Sequence, residues 1–196
     1  MSLELKLWGR IRSISNYKIF TKNRMKIVVP VCNNSRFIEI QYATFRKYIK
    51  EDYKLIIFND TKKFPDYSNF GDISIYRDIQ ETCKRLDISC IDVPNEEDRY
   101  RHMYNGSDRH GRTMNFIFSY MKENPDQYWI IDSDMFLFRD FDIYRYKDYD
   151  CAVVLQERPH FRYIWPNLFY FNMDRLRYTE LINFKPQCPG DSGVLS

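Results

Sequence analysis

Apolar and polar residues follow two rhythms along this chain, and from Met25 onward the rhythms alternate. The run KIVVPV (26–31) is short, β-branched and continuous, and it stops at Cys32-Asn33-Asn34-Ser35, residue types that open helices. Ile38, Tyr42, Phe45 and Ile49 then recur at helical spacing. KLIIFND (54–60) repeats the strand signal and ends in Asn59-Asp60. After a polar, proline-containing loop, Ile75, Ile79, Cys83 and Leu86 predict a second helix. ISCIDV (88–93) is a third strand. The polar segment DRYRHMYNGSDRHGR (98–112) reads as a loop before a third helix, on which Met114, Ile117, Phe118 and Met121 share a face and which Asn124-Pro125 stops. YWIID (128–132) is a fourth strand. CAVVLQE (151–157) and NLFYFNM predict two more, joined by the aromatic link RPHFRYIWP (158–166).

Strands separated by helices of this length form right-handed βαβ units, so the chain is expected to be α/β with a mostly parallel sheet flanked by helices. Ligands of such sheets bind beyond the carboxyl ends of the strands, where loops and helix N-termini converge. The polar residues at those ends are Cys32-Asn33-Asn34, Asn59-Asp60 and Asp132-Ser133-Asp134. The last group is the most unusual. In WIIDSDMFLF two carboxylates stand between apolar runs that both read as buried strand, and carboxylates in a buried setting repel each other unless a cation or protons lie between them.

Composition narrows the class. At 196 residues, 44% of them hydrophobic, the chain suits one well-buried core, placed at 25–196, better than two domains. A net charge of +3 from 30 basic and 27 acidic residues does not describe a nucleic-acid binder. With no apolar run approaching a membrane span and no signal-peptide pattern, the expected location is cytoplasmic. Residues 1–24 differ from the rest. Their six Lys/Arg, spread among Leu3, Leu5, Leu7, Trp8, Ile11 and Ile14, fit either an amphipathic segment making peripheral membrane contact or an ordinary arm or flanking sequence. Cys32, Cys83, Cys90, Cys151 and Cys188 form no CxxC pair and read as reduced thiols. His102, His110 and His160 show no metal-ligand spacing and read individually as structural or surface residues.

Taken together, KIVVPVCNN, LIIFND one βα unit later and WIIDSD after the third helix resemble the successive landmarks of GT-A fold glycosyltransferases, in particular the family-two-like members. The resemblance runs from about Met25 to Asn172. It implies a Rossmann-like GT-A fold and transfer of a sugar from a nucleoside-diphosphate donor, such as a UDP- or GDP-sugar, to a hydroxyl of a glycan or other acceptor, with inversion. It also implies a Mn²⁺ or Mg²⁺ ion that neutralises charge developing on the diphosphate leaving group. By this resemblance Asp134 ligates the metal and Asp132 reaches the ribose or the metal through water, with Ser133 between them. Asp60 meets the base, and Val31, Cys32 and Asn33 line the nucleoside pocket.

Arg109 and Arg112, among the basic residues before the third helix, suit contacts to the diphosphate, since guanidinium groups match phosphate oxygens. In relatives an acidic residue of the later region serves as general base. Asp191, in the tight PGDSG loop, and Glu157 are the candidates here. Phe161, Tyr163 and Trp165 suit an acceptor platform or plain core, and His160 is a weaker candidate for a late metal ligand. Other readings fit less well. GDSG has too little chain after it for a serine-protease fold. A dehalogenase-type phosphatase would open its domain with the DxD. A sugar-nucleotide nucleotidyltransferase would carry a glycine-rich loop where PVCNNSR has none. A non-catalytic nucleotide- or glycan-binding module remains the alternative, because many relatives continue past the point where this chain ends at Ser196.

Overall fold

The computed structural model describes residues 5–6, 24–63, 73–94, 106–158 and 161–185. In chain order these form β1 (Leu5–Lys6), β2 (Met25–Val31), α1 (Ser35–Tyr48), β3 (Tyr53–Asn59), α2 (Ile73–Arg85), β4 (Ser89–Asp92), α3 (Gly106–Glu123), β5 (Gln127–Ile131), β6 (Cys151–Arg158) and β7 (Phe161–Asn172), followed by a 3₁₀ turn at Thr179–Leu181. The strands make one mixed sheet in the order β1-β6-β7-β5-β2-β3-β4. β4, β3, β2 and β5 pair in parallel, as the helical connections predict. β7 runs against β5, and β6 runs against β7, so β6 points the same way as the parallel block. Leu5 and Lys6, the described part of the N-terminal arm, add an edge strand antiparallel to β6.

Central strands read as unbroken apolar runs because both faces of the sheet are covered. The pleat sends alternate side chains to opposite sides. Met25, Ile27 and Val29 of β2, Leu55 and Ile57 of β3, and Trp129 and Ile131 of β5 pack with Ile38 and Phe45 of α1 and with Ile79 and Cys83 of α2. Val28, Ile56, Phe58, Tyr128 and Ile130 face the other way, onto Met114, Ile117, Phe118 and Met121 of α3. Full burial of such side chains contributes roughly 1.5–3 kcal/mol each. Trp129 also satisfies its polar edge, donating from Nε1 to the Ile143 carbonyl at 2.9 Å while its ring meets Phe141 edge-on at 5.0 Å. The helical face expected on α3 is the buried one, and the chain turns out of the helix at Asn124, whose N–H donates to the Tyr120 carbonyl.

Three local expectations differ from the structure. First, Arg109 and Arg112 lie within α3 and not in a loop before it, because the helix extends back to Gly106 through polar residues whose apolar partners begin only at Met114. Second, the link RPHFRYIWP is largely strand. β7 begins at Phe161, and Tyr163 and Trp165 pair across the hairpin with Gln156 and Val154. Third, Met135–Phe138 is not a buried strand. A turn closes at Met135, whose N–H donates to the Asp132 carbonyl at 3.1 Å. Beyond it Met135 and Leu137 pack inward while Phe136 and Phe138 are exposed. Among the described residues no helix is long and apolar enough to cross a membrane.

Candidate functional site

From β2 the chain steps outward in one direction to β3 and β4, and then returns to the other flank of β2 as β5. The loops leaving β2 and β5 therefore diverge, and a crevice opens between their carboxyl ends. A proline widens it. The Val31 carbonyl accepts the Asp60 N–H on the β3 side, so the polar groups of the preceding residue, Pro30, point toward β5. Pro30 has no N–H to donate there. The β2–β5 register accordingly ends at Val28 and Ile130, and the two strands part beyond it.

The resulting cleft, about 90 Å³ in volume, is lined by Pro30, Val31, Cys32, Asp60, Asp132 and Ser133 together with Gly106, Arg109, His110 and Thr113 of α3. All three landmark segments of the sequence thus meet at one place. That volume is less than the roughly 150 Å³ of an enclosed cavity that holds benzene. Its floor is tied together by hydrogen bonds. Thr61 donates from Oγ1 to the Cys32 carbonyl at 2.9 Å, and its N–H donates to Asn59 Oδ1 at 3.1 Å. Asn59 in turn donates from Nδ2 to the Tyr76 carbonyl.

Asp60 and Arg109 pair with each other. Arg109 Nε lies 2.7 Å from Asp60 Oδ2, both side chains are about 95% buried, and Arg109 Nη2 also donates to the Asp60 carbonyl. The residue expected at the base and one expected at the diphosphate are thus paired with each other in the cleft wall. Burial pushes the Cys32 thiol up from its usual range. The nearby Arg109 guanidinium pulls it down, and Asp60 and Asp132 push it up. Cys32 is therefore a neutral thiol at physiological pH and not an activated nucleophile.

The acidic turn is less buried than its sequence setting suggests. Asp132 is half-buried on the cleft wall, with Oδ1 accepting the Ser133 N–H at 2.8 Å, whereas Asp134 is exposed and does not line the cleft. Water around Asp134 relieves much of the repulsion that two buried carboxylates would feel, so the pair does not by itself demand a cation. Asn33 and Arg112 are exposed and also outside the lining. Glu157 pairs with Arg162 at 3.2 Å near the tip of the β6–β7 hairpin. That hairpin continues four residues past Val154, roughly 13 Å beyond the body of the sheet and on the same edge as the cleft. Asp191, Phe161's side chain and His160 lie outside the described residues.

Sequence reasoning passed over His110 and Thr113 in the cleft and Gln41 beneath it. A signal existed for the first two. Gly106, Arg109, His110 and Thr113 are spaced three, one and three apart, which places them on one side of a helix. Gln41 is the polar residue on the otherwise apolar face made by Ile38 and Phe45.

Two outcomes follow from this geometry. Arg109→Met, which leaves the Asp60 carboxylate buried without its guanidinium, is expected to destabilise the protein by about 3–5 kcal/mol in urea denaturation, and Asp60→Leu added to it should restore most of the loss. A double variant no more stable than the single one would contradict the pairing. For Cys32, a raised pKa keeps the reactive thiolate scarce until the pH passes the ordinary thiol range near ~8.5. Alkylation by iodoacetamide, followed at Cys32 by peptide mass mapping, should be slow at pH 7.5 relative to a free thiol and accelerate well above pH 9. Rapid modification at pH 7.5 would count against it.

No protein-family model matches the chain, and no curated protein matches it significantly.

Proposed function

We propose that this protein is a metal-dependent glycosyltransferase of the GT-A type, moving a sugar from a nucleoside-diphosphate sugar to a hydroxyl of a glycan or other acceptor with inversion at the sugar carbon. The observation that supports the reading is the convergence at the switch point. Val31 and Cys32 at the end of β2, Asp60 after β3 and Asp132-Ser133 after β5 surround one cleft, although they lie far apart in the chain.

Within this reading the Val31–Cys32 edge and the Asp60–Arg109 pair hold the nucleoside part. A flat, partly apolar wall with fixed polar atoms suits a ring that is both stacked and hydrogen-bonded. Asp132 and Asp134 offer the hard oxygen ligands that Mn²⁺ or Mg²⁺ prefers. Among the described residues no three acidic, histidine or cysteine side chains come together as a ready-made metal cage. The donor set therefore fits an ion held jointly by one or two carboxylates and the substrate's own phosphates, as Mg²⁺ commonly is. Bound there, the ion would neutralise charge on the departing diphosphate. The β6–β7 hairpin, overhanging the same edge with Tyr163 and Trp165 half-buried along it, supplies the acceptor side, with Glu157 and Asp191 the candidates for the base that takes the acceptor's hydroxyl proton.

A second reading has an observation of its own. Asp60 and Arg109 are engaged with each other and Asp134 stands outside the cleft, which also suits a module that binds a nucleotide or glycan without reacting it. Thermal-shift titration of the chain with UDP, GDP, CDP and dTDP, each with and without Mn²⁺, separates the two. The transferase reading expects a concentration-dependent rise that needs both one nucleotide and the metal and is lost in Asp134→Ala, since a ligand selective for the folded state raises its stability by mass action. A metal-independent rise unaffected by Asp134→Ala would favour the binding module, and no rise with any pair would remove the nucleotide site altogether.

A further inference from the structure

We propose that Gln41 is a positioning residue for the acidic turn, fixing the orientation from which Asp132 and Asp134 meet a divalent cation. The inference rests on the reading of the cleft as a nucleotide-sugar site. Gln41 sits in the middle of α1 and is fully buried between Ile38 and Phe45. Its Nε2 donates to the Asp132 carbonyl at 2.7 Å and to the Met135 carbonyl at 3.0 Å. A side-chain amide nitrogen has two hydrogens, and here both go to the two ends of one four-residue turn. From the opposite side the Asp132 N–H donates to the Asn167 carbonyl of β7 at 2.9 Å. Asp132 is thereby held from α1 and β7 together, and Ser133 and Asp134 hang between two fixed carbonyls.

Stability alone is a poor explanation for an amide at this position. Burying Gln41 among apolar neighbours carries a desolvation cost, and its Oε1 has no hydrogen-bond partner among the described residues. Half of the amide is thus left unsatisfied so that the other half can clamp the turn. Groups that orient metal ligands from behind typically cost 10–100-fold in metal affinity or activity when they are lost.

The test uses the full chain with Mn²⁺ alone, free ion being read by electron paramagnetic resonance, and then with UDP or GDP added. Gln41→Met keeps the length and apolar bulk of the side chain and removes both donated hydrogens. It is expected to raise the Mn²⁺ dissociation constant about 10-fold or more. Phe45→Leu, on the same helix face but with no side-chain hydrogen bond to give the turn, should lower the melting temperature and leave Mn²⁺ affinity within about twofold. A Gln41→Met protein that binds Mn²⁺ as the wild type does would overturn the inference while leaving the transferase reading standing, as would equal weakening in both variants. A wild type that binds neither Mn²⁺ nor nucleotide would remove the site reading and this inference with it. A second measurement needs no variant. The Gln41 side-chain amide signals of ¹⁵N-labelled wild type should shift when Mg²⁺ and nucleotide are added, and signals that stay in place at saturation would contradict a coupled clamp.

Discussion

Lys26, Ile27 and Val28 of β2 pair in parallel with Tyr128, Trp129 and Ile130 of β5, and the position of everything functional follows from that short register. Parallel pairing brings two carboxyl ends to the same edge, and the reversal of strand order at β2 sends their loops apart. Pro30, with no N–H to give toward β5, stops the ladder at Val28. The cleft is the space left between strands that the rest of the sheet holds at fixed spacing. Its rigidity comes from beneath, where Trp129 and Ile131 on one face and Tyr128 and Ile130 on the other are locked into separate apolar layers.

Given that frame, the polar residues at the strand ends divide by burial. Asp60 and Arg109, deep in the wall, are a buried ion pair, an arrangement costly to break and weakly stabilising when intact. Its contribution is a wall with hydrogen-bonding atoms held in place. Asp132 stands on the cleft wall and Asp134 in water, which leaves the acidic turn as the part of the cleft rim where negative charge is open to solvent. Gln41 links the two levels, since a helix packed on the buried face of the sheet reaches up to hold the exposed turn.

How much of this was legible in the sequence depended on whether a residue's role was set by local pattern or by distant packing. Periodicity located β2 to β5 and three helices, because burial on both faces writes itself as continuous apolar runs and 3.6-residue repeats. The meeting of Val31–Cys32, Asp60 and Asp132 followed from the rule for parallel sheets, which needs only the order of elements. Three features were not legible. The apolar run Met135–Phe138 looked like strand, yet a turn held by Gln41 from ninety residues away splits its side chains between core and solvent. Arg109 looked like a loop residue available to a diphosphate because its partner, Asp60, is distant in sequence. Tyr163 and Trp165 looked like a link because aromatic residues serve strands and loops alike, and only pairing with Gln156 and Val154 decides between them.

The central claim is that the switch-point cleft and the acidic turn form one site for a nucleoside diphosphate and a divalent cation. Crystals grown with Mn²⁺ and the tightest-binding nucleoside diphosphate, measured at a wavelength where manganese scatters anomalously, test it most directly. The account predicts an anomalous peak within ligand distance, about 2.0–2.4 Å, of a carboxylate oxygen of Asp132 or Asp134. It also predicts the base or ribose against Val31, Cys32 and the Asp60–Arg109 pair. Ordered nucleotide bound elsewhere, or manganese away from the turn with the cleft filled only by water, would contradict it.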